Sequence, residues 1–281
     1  VLEVETPLLA SSTVTDPHIE SVRAGTRFLQ TSPEFAMKRM LAAGSGSIYQ
    51  ICKAFREGES GSRHNPEFTM LEWYRVGFDH HTLMDEVDLL LQSLLETEAS
   101  DRVSYASVFR DRVGLDPHSC ETPALAAAGA RLGLAVVAST PISRADWLNL
   151  LMAQVIEPSL GSVRPTFVYD FPRELAALSR LRPDRPPVAE RFELYFRGTE
   201  LANGYHELTD AQEQRERFES DQSLRASLGR ERVEGDGRLL AALEAGLPKC
   251  AGVALGFDRL VMVAAGKASL EDVLSFPIDR A

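Results

Sequence analysis

Apolar residues repeat with a helical period in some stretches of the chain and alternate in others, and the switches between the two mark its elements. Ser32-Pro33-Glu34 has the chemistry of a helix start, with a hydroxyl cap, a proline in the first turn and an acid at the positive dipole end. The helix it predicts runs through "FAMKRMLAA" and stops at Gly44. In "SIYQICKAFRE" (47–57), Ile48, Gln50 and Cys52 alternate with Tyr49, Ile51 and Lys53, as in a strand. Residues 59–65 are turn-rich, and "EFTMLEWYRV" then reads as a second strand, so the pair predicts a hairpin.

Helical spacing returns in "LMDEVDLLLQSLLETEA" (83–99), and Ala- and Leu-rich stretches broken by Pro and Gly fill 101–186. That segment, ending in "RLRPDRPP", predicts a helical insertion. "RFELYFRGTELANGYHEL" (191–208) predicts a second hairpin turning at Arg197-Gly198. A helix capped by Asp210 follows, and "AGVALGFDRLVMVAAG" (251–266) reads as a strand entering a helix. Strands joined mainly by hairpins predict an α+β fold, an antiparallel sheet flanked by helices, over residues 1–281.

Composition narrows the function classes. The chain has 281 residues, 44% hydrophobic and 25% charged, and no apolar run of about 18 residues to span a membrane. A net charge of −11 argues against broad contact with a nucleic-acid backbone, so tRNA is not the expected partner. Cys52, Cys120 and Cys250 are far apart and form no CxxC pair, which fits a reducing cytoplasm. Val1 is not a methionine and "VLEVETP" reads as mid-strand, so a preceding N-terminal segment is expected.

The candidate chemistry starts in the second hairpin. With a turn at Arg197-Gly198, Tyr195 faces Glu200 and Glu193 lies on the same face. Two long acidic side chains can converge there around Mg²⁺, and two solvated surface acids would give the same pattern. Strict alternation puts Glu207 on the opposite face, so a bulge near Gly204 is required to bring it round. Arg56 ends a strand and Arg259 sits in the first turn of a helix opened by Gly256, a plausible phosphate site or simply close packing. Phe68, Trp73 and Tyr74 read as core or as a ligand stack, and His80-His81 as loop residues without a role.

The order of these motifs adds what none carries alone. "EVETP", "FRE…RHNPEF" and "GVALGFDRL" resemble motifs 1, 2 and 3 of the class II aminoacyl-tRNA synthetase core. "SPE", "HNPEFTM" and "ELANGYHEL" bring the chain nearest to the lysyl-tRNA synthetases. Gly58 where the tRNA enzymes carry the motif 2 glutamate, "MLEWYR", Ala254 and His206 resemble instead the paralogous branch that β-lysylates elongation factor P.

That resemblance implies ATP and Mg²⁺ as cofactors, β-lysine as substrate, elongation factor P as acceptor protein and a homodimer formed through motif 1. It implies catalytic roles for Arg56 at the α-phosphate and Arg259 at the γ-phosphate. Phe68 would stack on adenine, flanked by His64 and Asn65, with Glu57, Glu59, Leu201 and Gly256 completing the nucleotide site. Glu193 and Glu200 would hold the metal. Glu72 and Glu207, with Tyr74 and Asn203, would take the side-chain ammonium and Glu34 the other amino group, with Ser32, Pro33, Tyr205 and Ala254 lining the pocket. The expected activity is an ATP-dependent, AMP-forming amino acid–protein lysine ligase. Its alternatives are a lysyl-tRNA synthetase core whose anticodon domain precedes this chain, and a synthetase-like regulator that binds without catalysing.

Overall fold

The computed structural model describes residues 1–134 and 142–281. In chain order its elements are β1 (Leu2–Glu3), β2 (Leu9–Ala10), β3 (Arg23–Ala24), β4 (Arg27–Leu29), α1 (Glu34–Ala42), β5 (Ile48–Phe55) and β6 (Glu67–Val76). Then come α2 (His80–Leu95), β7 (Asp101–Ser104), α3 (Tyr105–Val113), α4 (Thr122–Arg131), α5 (Arg144–Leu151), β8 (Thr166–Pro172) and β9 (Leu181–Arg182). The last are β10 (Val188–Phe196), β11 (Thr199–His206), α6 (Ala211–Ser227), α7 (Gly237–Gly246), β12 (Cys250–Gly256) and α8 (Phe257–Ala264). Residues 135–141, inside the expected insertion, lie outside the described residues.

The chain divides into two compact units, Val1–Phe78 with Glu207–Ala281, and Asp79–His206. In the first, β1, β5, β6 and β12 pair in that order, β1–β5 parallel and the others antiparallel. In the second, β11, β10, β8 and β7 pair in that order, with β9 also on β10, and β7–β8 is the parallel pair. The strands are thus antiparallel as expected, except for one parallel pair in each unit. Parallel partners need a long crossover, which α3 to α5 supply between β7 and β8. The insertion is accordingly helical in its middle, while β7, β8 and β9 bring its two ends into strand pairing.

Local signals held where their partners are close in sequence. Arg197 and Gly198 both take positive φ (52° and 66°), the backbone of a two-residue hairpin turn. Asp210 caps α6 by accepting the Glu213 N–H at 2.8 Å. At α1 the cap shifts by one residue. Pro33 is the capping position, while Ser32 Oγ accepts the Glu34 N–H at 3.0 Å. His80 and His81 belong to the first turn of α2, capped by Asp79, and not to a loop.

The core of the first unit packs Met37 and Leu41 of α1 against Ile48, Tyr74, Leu239, Leu243 and Phe218. Burying side chains such as Met37 and Leu41 is worth roughly 1.5–3 kcal/mol each. That anchors the face of α1 that also carries Lys38, buried alongside them. The second unit packs Tyr105, Phe109, Trp147, Leu151, Phe171 and Tyr195 into a separate cluster.

Candidate active site

The first unit builds a polar face from the register of three strands. Gln50, Glu72 and Ala254 lie in one row across β5, β6 and β12, and Ile48, Tyr74 and Gly252 in another. Phe68, Met70, Glu72 and Tyr74 therefore share a face by simple alternation, and Trp73 points to the other. Gly252 is a position where only glycine fits, since a Cβ there would stand 2.3 Å from Tyr74 and 2.5 Å from Glu207.

Three carboxylates gather at this face. Glu72 Oε1 accepts from the Tyr74 hydroxyl and Oε2 from Ser32 Oγ, both at 2.7 Å. Lys38 Nζ donates to Glu34 Oε1 at 2.7 Å and lies 2.6 Å from Glu207 Oε2. Lys38, Glu72 and Glu207 are all about 2% exposed or less. Burial pushes the Glu72 carboxyl up to about 8, with Glu34 adding to the rise and Ser32 and Tyr74 opposing it. Burial also raises Glu207, against the pull of Lys38. The Lys38 ammonium, which burial alone would weaken, is held above its ordinary value by Glu207 and Glu34.

Most of the sequence-predicted phosphate and nucleotide residues lie in the same unit, while Glu200 and Leu201 belong to the second. The Arg56 guanidinium sits 5.2 Å over the Phe68 ring, and its Nη1 is 3.7 Å from Glu59. Its buried Nε has no hydrogen-bond partner, a donor available to an anion. Gly58 takes φ +77°, which accounts for a glycine there, and Glu59 one place on is the acid that meets Arg56. Glu57 is exposed. Arg259 donates from Nε to the Arg63 carbonyl at 3.1 Å and meets His64 Nε2 at 2.8 Å. Asn65 ties the chain together, donating to the Glu67 carbonyl and accepting the Ile278 N–H. Gly256 caps α8, and Asp258 in the first turn accepts the Thr69 N–H, fixing the helix start against β6.

In the second unit the hairpin register resolves the parity problem posed by Glu207. Tyr195 pairs with Glu200 but Leu194 pairs with Ala202, so the bulge lies at Leu201 and not near Gly204. A buried Leu201 is the extra residue, which puts Glu200, Asn203 and Tyr205 on one face of β11. That is the parity Glu207 needs. Glu193, buried, accepts from the Arg191 guanidinium and the Tyr195 hydroxyl. Asn203 accepts from Arg191 Nε at 3.2 Å and donates to the Tyr205 hydroxyl at 3.1 Å.

Burial holds the Glu193 carboxyl above its ordinary value; Arg191 opposes the rise and the charge of Glu200 adds to it. Two oxygen-donor acids that repel on one face are what a hard divalent cation relieves, so Glu193 and Glu200 fit Mg²⁺.

Three participants escaped the sequence reading. Lys38 looked like an ordinary helix lysine, although Glu34 and Lys38 stand at the i,i+4 spacing of an ion pair. Arg191 stands two residues before Glu193, on the same face by alternation. The third is a histidine cluster, in which His80, Glu190 and His206 bring one ligating atom each within 4.8 Å of one another. Arg180 lies 3.2 Å from Glu190, and Arg182 donates to both oxygens of Asp170, whose Oδ1 is 3.4 Å from His80. Both acids already face cations and imidazoles, so we read the cluster as a buried ion network.

Comparison with known proteins places this geometry among relatives. A family model described as tRNA synthetases class II (D, K and N) matches residues 1–280. An elongation factor P–(R)-β-lysine ligase of Vibrio atlanticus is 50% identical, covering 100% of this chain and 90% of the relative. A protein of the same name from Vibrio cholerae is 50% identical, and one from Klebsiella pneumoniae is 49% identical, with the same coverage. No described helix is long and apolar enough to cross a membrane.

Proposed function

The chain belongs to the class II tRNA synthetase family, the D, K and N group, and from that premise we propose an ATP-dependent ligase that activates (R)-β-lysine as an adenylate and transfers it to a lysine side chain of elongation factor P. The observation that carries the reading is the cluster of Glu34, Glu72 and Glu207, in which one internal cation, Lys38, pairs with Glu34 and Glu207 while Glu72 is met by the Ser32 and Tyr74 hydroxyls. An uncompensated buried charge costs several kcal/mol, so such a cluster calls for a ligand with ammonium groups.

In the first step a carboxylate oxygen of β-lysine attacks the α-phosphorus of ATP. The new O–P bond forms as the bond to the bridging oxygen breaks, and pyrophosphate leaves with that electron pair. In the second, the neutral amine of the acceptor lysine attacks the acyl carbon. AMP departs and the amine proton passes to solvent.

Arg56 stabilises charge on the α-phosphate and Arg259 on the γ-phosphate, both as pre-placed cations that need no reorganisation. Phe68 stacks on adenine, with His64, Asn65, Glu57, Glu59, Leu201 and Gly256 around the nucleotide. Glu193 and Glu200 hold Mg²⁺, which when bound neutralises charge developing on the phosphoryl oxygens. Glu72 and Glu207, with Tyr74 and Asn203, receive the side-chain ammonium and Glu34 the second amine. Ser32, Pro33, Tyr205 and Ala254 line the amino acid. No side-chain nucleophile takes part. We place the enzyme in the cytoplasm as a homodimer.

ATP–pyrophosphate exchange with α-lysine, (R)-β-lysine and (S)-β-lysine, without acceptor, tests the reading. Preference for (R)-β-lysine is expected. Preference for α-lysine would move the assignment to tRNA charging, and no exchange with any of the three would overturn the ligase reading.

A further inference from the structure

The catalytic scheme above gives no part to Lys38, a charged side chain buried on α1. It is 2% exposed and pairs with two of the three acids, Glu34 and Glu207. Lysine is seldom buried unless paired, and here one ammonium serves two carboxylates on different segments of the chain. It takes only one oxygen from each, Oε1 of Glu34 and Oε2 of Glu207. The Gly252 backbone N–H also hydrogen-bonds the Glu207 carboxylate, so that acid is held from two sides.

Three carboxyl groups around one ammonium leave places for two more cations, the number that one substrate with two amines would bring. We propose that Lys38 is a positioning residue for substrate recognition: an internal counter-ion that pairs with Glu34 and Glu207 and aims them, so that the pocket selects an amino acid carrying two cationic amines. The inference rests on the ligase reading and adds the charge rule by which the substrate is chosen.

The other groups facing this cluster are consistent with that role. From β6 come Glu72 and the Tyr74 hydroxyl, and from β12 the Cys250 thiol, which burial raises first and Glu207 further. Burial likewise raises the Cys52 thiol on β5, and Glu72 adds to it. None of these supplies a second cation, so nothing replaces Lys38 if it is lost. Without it, Glu207 keeps the burial that raises its pKa and loses the charge that opposes the rise.

The test is the pH profile of β-lysine-dependent ATP–pyrophosphate exchange in wild-type protein and in Lys38→Met, with the ATP KM and the melting temperature measured alongside. The expected variant shows a KM for β-lysine raised by 10-fold or more near neutrality. That defect shrinks as pH rises, the acid limb of kcat/KM is displaced to higher pH, and kcat at saturation and the ATP KM are little changed. A loss of the same factor at every pH would mean that Lys38 only supports packing, and would overturn the proposal.

If Lys38→Met does not fold, wild-type protein still decides. Exchange with 6-aminohexanoate, which has one ammonium, should fall at least 10²-fold below that with β-lysine. Equal exchange with the two would overturn the charge rule while leaving the ligase reading intact. Absence of exchange with every amino acid would count against the ligase reading itself.

Discussion

In the first unit Glu207 is buried against a lysine and Glu72 against two hydroxyls, whereas in the second Glu193 is buried against an arginine and a tyrosine. Both arrangements place carboxylates where water is scarce, and burial raises all three acids. The neutralising groups differ in kind. Lys38 is a point charge divided between two acids, meeting one oxygen of each. Arg191 is a planar fork spread over Glu193, Asn203 and the Leu175 carbonyl, which fixes the direction of the Glu193 carboxylate. The first arrangement suits a flexible organic cation and the second an ion that demands fixed oxygen geometry.

The largest effect should come from removing a charge that the substrate must meet. Glu72→Gln is expected to cost about 3–5 kcal/mol of β-lysine recognition. It should lower kcat/KM in exchange by roughly 10²–10⁴-fold while leaving the ATP KM nearly unchanged. A small change would dissolve the contrast between the units.

Arg191→Met sharpens the same contrast from the other side. The Mg²⁺ concentration for half-maximal exchange should rise roughly 10–100-fold, as for loss of a group orienting a metal ligand. The KM for β-lysine should stay near its original value. A shift in β-lysine KM without one in Mg²⁺ would exchange the roles of the two units.

Ala254 pairs with Glu72 across β12 and β6, which sets it beside an acid of the proposed substrate pocket. Ala254→Gly should shift the activation ratio towards α-lysine by about 1–3 kcal/mol, the worth of a methyl-sized change. An unchanged ratio would remove Ala254 from selectivity.

The smallest expected effect is on stability. The folded-state pKa of Glu72 is raised above that of the unfolded chain, so the folded protein binds its proton more tightly. The stability this confers is full below about pH 4 and is lost as pH rises through about 8. Glu72→Gln should therefore match wild type in melting temperature near pH 4 and exceed it near pH 9. A constant offset across that range would show that ionisation of Glu72 is not the cause.

What was legible in the sequence was local. The Arg197-Gly198 turn, the Asp210 cap, the β5–β6 hairpin and the strand entering α8 each depend on residues a few positions apart. The order of motifs along the chain was legible too, and with it the expected acids, arginines and aromatic shelf. Parity failed where one extra residue changed it: the bulge at Leu201 is set by how β10 and β11 pair, and strict alternation placed the correction near Gly204 instead.

Residue identity and spacing by themselves determined the hairpins, the helix ends and the set of chemical groups on offer. Tertiary structure decided which of those groups lost their water. Glu34 and Lys38 make the i,i+4 pair of any exposed helix; packing of Met37 and Leu41 turned that face inward and set Glu207 against it. His80, Glu190 and His206 carry no shared pattern, because contacts across about 110 positions leave no periodicity to read. Charge and burial are both needed to raise a carboxyl or bind an ammonium. The first is written in the chain, while the second exists only once distant segments have excluded water from between them.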